Sequence, residues 1–167
     1  MIKLRATAIL TTLLALTLGV SGASCGTSLT SDLDKLGTVD MTVNAQKFRL
    51  WVADDAAERE RGLMKVTSEQ LARLSDGTER GMIFVFDREL LLYFWMKDTI
   101  IPLDIAYLDA EGTVTATHTM AALDVRTGQY SSVRGAMYAI EVNADTYARV
   151  GLKTGDRVEI PNTLLKR

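Results

Sequence analysis

Over residues 38–53 the apolar residues of this chain recur in register at every second position, and that period restricts the fold more than any other feature. Val39, Met41 and Val43 are in register, as are Phe48, Leu50 and Val52 after the turn residues Asn44 to Gln46, which predicts a hairpin of two half-buried strands. GMIFVF at 81–86 and LLLYFWM at 90–96 are near-continuous apolar runs, expected as central strands buried on both faces. IAYLD and TVTATHTM, joined through 109–112, predict a second hairpin, AMYAIEV at 136–142 another strand, and RVEI before Pro161 a closing edge strand. Three short helices are expected. Asp55 and Glu58 stand at capping distance ahead of Gly62, which predicts a helix over about 55–62. Thr67 and Gln70 have capping-box spacing, with Val66 and Leu71 as a hydrophobic staple, for one over 68–74. A last helix over 145–150 stops at Gly151. Residues 121–135 lack any period and read as a loop. Without strand–helix–strand alternation, the pattern predicts a mainly β fold, a compact antiparallel barrel or sandwich with two or three short helices over one open end. Phe84, Phe86, Phe94, Trp95, Ile105 and Ile140 are its expected core.

The first 24 residues have the parts of an export signal: Lys3 and Arg5, an apolar run from Ala6 to Val20, and a small-residue stretch, SGASC, at 21–25. The run is interrupted by threonines and shorter than the roughly 18 residues of a membrane span. Cys25 is the only cysteine, and its setting resembles the lipobox of bacterial lipoproteins, which implies cleavage before it and a lipid on its thiol. Gly22 stands where that pattern usually has leucine, so ordinary cleavage after Ala23 is the alternative. The expected layout is a signal peptide over 1–24, an anchor cysteine and tether over 25–37, one domain over 38–160 and a tail over 161–167. The chain is expected outside the cytoplasm, in the cell envelope, with the membrane as a partner through Cys25.

Chemistry is harder to read. The net charge is −2 and the Lys and Arg residues are scattered, so no nucleic-acid footprint is expected. There is no GxSxG elbow, no cysteine in the body, and His118 alone offers an imidazole, which leaves nucleophilic catalysis poorly supported. No standard ligand spacing predicts a metal, and no cofactor is called for. His118 and Met120 form a soft pair that suits Cu(I), although core packing explains scattered methionines more simply. The polar residues embedded in apolar sequence are Arg59, Arg61, Lys97, Asp98, Asp104 and Glu141. One reading pairs an arginine with Asp104 or Glu141 as a buried structural ion pair, and this reading leads. The other groups Trp95, Lys97, Asp98 and Asp104 as the lining of a small-ligand site, with the 121–135 loop as its rim.

GLM at 62–64, GMIFVF at 81–86 and FWMKDTIIPLDIAYLD at 94–109 resemble the blocks of the DUF192 family, also called UPF0127. The family pattern is close to R-x-x-G-L-M, then G-M-L-F-x-F, then F-W-M-K-N-T-x-I-P-L-D-I. Here Asp98 replaces the usual asparagine, Ile140 precedes Glu141 where leucine is common, and Arg59 or Arg61 supplies the arginine. The resemblance extends over about 39–160 and implies a compact mainly β domain with no established activity. The expected role is a non-catalytic binding or interaction module of the bacterial cell envelope, for a small ligand or an envelope protein. The alternatives are an enzyme of unknown reaction using Lys97, Asp98 and Asp104, or a Cu(I) protein.

Overall fold

The computed structural model describes residues 33–126 and 128–165. The expected signal, Cys25 and most of the tether lie outside the described residues. The elements are β1 (Thr38–Val43), β2 (Gln46–Ala53), α1 (Ala56–Arg61), β3 (Glu79–Leu90), β4 (Tyr93–Phe94), β5 (Leu103–Leu108), β6 (Val114–Met120), β7 (Tyr130–Ser131), β8 (Ala136–Asn143) and α2 (Thr146–Val150). The first hairpin forms as expected. Asn44 and Ala45 both take positive φ at its turn, the geometry that matches a two-residue connection to the strand twist. Helix α1 starts on a complete capping box between Asp55 and Glu58 and ends at Gly62.

The main sheet has six strands in the order β1-β2-β3-β8-β5-β6. It is mixed and open, which corrects the expected antiparallel barrel. β2 and β3 run parallel, Phe48 opposite Glu79 through Ala53 opposite Phe84, and a crossover over 54–78 joins them. Strand–helix–strand alternation is therefore present once among the described residues. It went unseen because the crossover helix has only six residues and presents no apolar stripe. A two-stranded ribbon of β4 and β7 lies over one face of the main sheet, giving a lopsided sandwich.

β5 is buried at all six positions, and its alternation sorts the core into two layers. Leu103, Ile105 and Tyr107 join Met82, Phe84 and Ala139 beneath Leu63, Leu71, Met96 and Tyr130. Ala106 and Leu108 join Leu50, Ile83, Tyr138 and Ile140 on the other face, closed by Tyr147 of α2 with Leu152 and Val158. The covered face that carries β4 and β7 is fastened by a column of edge-to-face rings. Phe84, Phe94, Tyr107, His118 and Tyr130 follow one another at centroid spacings of 4.8, 5.7, 6.1 and 6.1 Å.

Three further expectations are corrected. No helix forms over 68–74. The Thr67 and Gln70 side chains do reciprocate, but the Leu74 N–H bonds the Thr78 carbonyl at 2.9 Å and closes a turn instead. The run at 90–96 is not a central strand. Leu92 and Met96 are buried while Leu91, Tyr93 and Trp95 point outward, so Trp95, at 44% exposure, is not core. Phe86 and Phe94 are partly buried, whereas Phe84, Ile105 and Ile140 are core as expected. RVEI contributes a single bridge, Arg157 to Thr113, rather than a strand.

Candidate functional site

On the covered face of the sheet, the central strand β8 carries one acidic residue. Glu141 sits between Met82 of β3 and Ile105 of β5, is 4% exposed, and has no hydrogen-bond or ion-pair partner among the described residues. Charging a carboxyl there would cost several kcal/mol, so burial pushes its titration up to about 8 and the group is a neutral acid at pH 7. It is not sealed. Glu141 forms the floor of a narrow cleft walled by Phe84, Phe94 and Trp95, with Arg59, Arg61 and Lys97 at its rim. The free space is about 30 Å³, enough for a water or the tip of a side chain. A wider surface groove between Ala110 and Leu165 contains none of these residues.

Each motif block supplies one part of the cleft. Gly81 opens the GMIFVF block because β8 crosses it closely: a methyl there would run into the Glu141 carbonyl oxygen. Gly62 turns the chain at φ 48° against the Phe84 ring, and so drops Leu63 into the core and leaves Arg61 at the rim. In the FWMK block, alternation buries Met96 and presents Trp95, whose ring lies 5.2 Å beneath the Lys97 ammonium. Asp98 takes φ 54°, a left-handed conformation that aspartate tolerates better than most residues. Its carbonyl receives the Lys65 N–H at 2.8 Å, and the Thr99 carbonyl receives that of Leu123 at 2.9 Å, so the turn is tied to both neighbouring connections.

The residues singled out from the sequence divide between the two faces. Trp95 and Lys97 line the cleft, and Asp98 lies just beyond it. Asp104 does not join them. It accepts from Thr119 Oγ1 at 2.7 Å and from the Tyr147 N–H at 3.0 Å, which fastens α2 to the opposite face of the sheet. The arginine pairs expected for Asp104 and Glu141 are not formed. Arg59 donates to the carbonyls of Asp54 and Val85 at 2.6 and 2.9 Å and stacks over Phe86. The buried acid with arginine partners is instead Glu79, met by Arg73 and Arg149 at 2.6 and 2.8 Å. His118 donates from Nε2 to the Ser131 carbonyl at 2.8 Å within the ring column, and Met120 is fully buried, so both serve packing. The 121–135 loop is organised by Asp124, which accepts from Arg126, Gln129 and the Tyr130 hydroxyl and is held well below the usual carboxylate range by the Arg126 guanidinium and that hydroxyl. The Met96 N–H bonds the Asp124 carbonyl, which seats the loop beside Trp95.

The model of the DUF192 family, described as an uncharacterized ACR, matches residues 38–160. A crystal structure of a protein of unknown function from Novosphingobium aromaticivorans DSM 12444 superposes with a TM-score of 0.61 at 29% identity, covering 75% of this chain and 85% of that one. A second, from Sinorhizobium meliloti 1021 and described as a candidate transcription regulator, gives 0.62 at 29% identity over 73% of this chain and 90% of that one. No curated protein matches the sequence.

Proposed function

The chain belongs to the DUF192 family, and from that premise we propose a non-catalytic binding module of the bacterial cell envelope, exported and held at the membrane through Cys25. Its cleft receives a hydrogen-bond-accepting group of a small ligand or an envelope protein over Glu141. The observation that carries this reading is the convergence of the three motif blocks on one cleft whose floor is a buried, unpartnered carboxyl. A carboxyl kept neutral donates a hydrogen bond, the role that burial gives such acids in other sites. Arg61 and Lys97 at the rim favour a carboxylate or carbonyl arriving between aromatic walls. The space admits only the end of such a group, which suits recognition of a terminus or side chain rather than enclosure of a whole metabolite. No nucleophile and base pair lines the cleft, and the three residues of the enzyme alternative are divided, with Asp104 on the far face. Export and anchoring rest on Lys3, Arg5, the apolar run and Cys25. The scattered charge argues against taking over a regulator's role on nucleic acid.

Titration of acetate and N-acetylglycine, followed by NMR, tests the binding role. Both should move the Trp95 indole and Glu141 resonances in the intact protein, with the response lost in Lys97→Ala. Unmoved resonances at saturating ligand would sink the proposal.

A further inference from the structure

We propose that the outer face of the β4–β7 ribbon is a second docking surface, and that its occupant is the lipid bilayer itself. Leu91, Tyr93 and Trp95 alternate outward along one arm at 50, 59 and 44% exposure. Tyr93 pairs with Ser131 on the other arm, and Val133, 70% exposed, follows two residues beyond that pair. Leu123 and Val125 flank the Trp95 end, where the Met96 N–H holds Asp124. Leu91, Tyr93, Trp95, Leu123, Val125 and Val133 are six of the nine large apolar side chains exposed among the described residues. These side chains offer few hydrogen bonds. Tyr93 and Trp95 stand among the aliphatic side chains of the strip, and tyrosine and tryptophan are the rings that favour the headgroup boundary.

The place where the chain enters the fold decides between a bilayer and another protein. Leu33, the first described residue, lines a groove with Arg61, Met64 and Asp98, and Arg61 and Met64 also line the Trp95 cleft. The tether therefore arrives on the side that carries the strip. Seven residues lie between Cys25 and Leu33, and the span from one to the other is at most about 29 Å when fully extended. An anchor at Cys25 holds this side of the domain against the membrane, and this step rests on the anchoring reading above. The charges next to the strip, Arg88, Lys97 and Arg134 against Asp87, Glu89 and Asp98, cancel, so insertion of apolar groups drives contact rather than attraction to anionic lipid.

The experiment uses the full chain and phosphatidylcholine vesicles carrying brominated acyl chains, which quench only tryptophans at the bilayer. Trp95 should be quenched and blue-shifted, while Trp95→Phe, which leaves the buried Trp51, should show no quenching. Leu91→Ser with Val133→Ser should abolish the quenching and leave the melting temperature within a few degrees of the parent. Protein that floats with the vesicles while Trp95 stays unquenched overturns the docking surface but keeps the anchor. Quenching without a lipid on Cys25 by mass spectrometry supports the surface and overturns the anchor. A blue shift of Trp95 that grows with protein concentration in the absence of vesicles assigns the strip to a second copy and overturns the proposal, as does Trp95 already shielded from acrylamide by residues 6–20.

Discussion

Glu141 makes the stability of the domain depend on pH in a direction opposite to that of most carboxylates. Its proton leaves the unfolded chain near the ordinary value of 4.5 and the native protein near 8. Between those values the native state binds more protons, so stability is fully present below about 4.5 and falls as pH rises towards and through 8. The loss is of order 5 kcal/mol at 1.36 kcal/mol per pH unit. Urea melts at pH 5, 7 and 9 should show a steep decline in the parent, and Glu141→Gln, which keeps a neutral group of the same shape, should remove most of it. Equal slopes for the two proteins would mean that Glu141 is ionised throughout. The residue itself was legible in the sequence as a carboxylate inside an apolar strand. Its lack of a partner was not, because alternation tells which residues share a face but not whether a cation from a distant segment reaches them. Asp104 shows the same limit. Its burial could be argued from Leu103 and Ile105, yet its true partners, a threonine on the neighbouring strand and a helix N–H 43 residues away, carry no charge to search for.

At the scale of elements, the signals that proved reliable were those completed within a few residues. The Asp55 and Glu58 capping box is satisfied by bonds of 2.8 to 3.3 Å and needs nothing from the rest of the chain. Asp55→Ala should cost about 1 kcal/mol. Because α1 hands Arg59 and Arg61 to the rim, the substitution should also weaken any ligand that moves the Trp95 resonance, an effect that thermal melts and NMR titration would separate. The equivalent box at Thr67 and Gln70 forms its bonds but not its helix: after the Leu71 and Ala72 N–H groups bond back to Thr67 and Glu69, that of Leu74 finds Thr78 across a turn that the local sequence does not announce. The run at 90–96 failed for another reason. Hydropathy counts Leu91, Tyr93 and Trp95 as interior, and nothing in a period of two says that the outer face of a short ribbon is left open.

For the whole molecule, the N-terminus is the part most simply checked. Mass spectrometry of the protein recovered from bacterial envelopes should find a chain that starts at a lipid-modified Cys25, and Cys25→Ser should release it into the soluble fraction. An unmodified start at Ser24 would remove the anchor. The parallel pairing of β2 and β3 was beyond reach of sequence, because it depends on a 25-residue crossover whose only helix is one and a half turns long. That crossover has a consequence for how such a domain diversifies. Arg59, Arg61 and Met64 all belong to it, and its two ends are pinned to strands that lie side by side, whereas Glu141 belongs to the sheet. On the binding role proposed above, the crossover's share of the rim is separable from the floor beneath it: Arg59, Arg61 and Met64 can be exchanged between two fixed seams without touching the acid at the centre of the sheet.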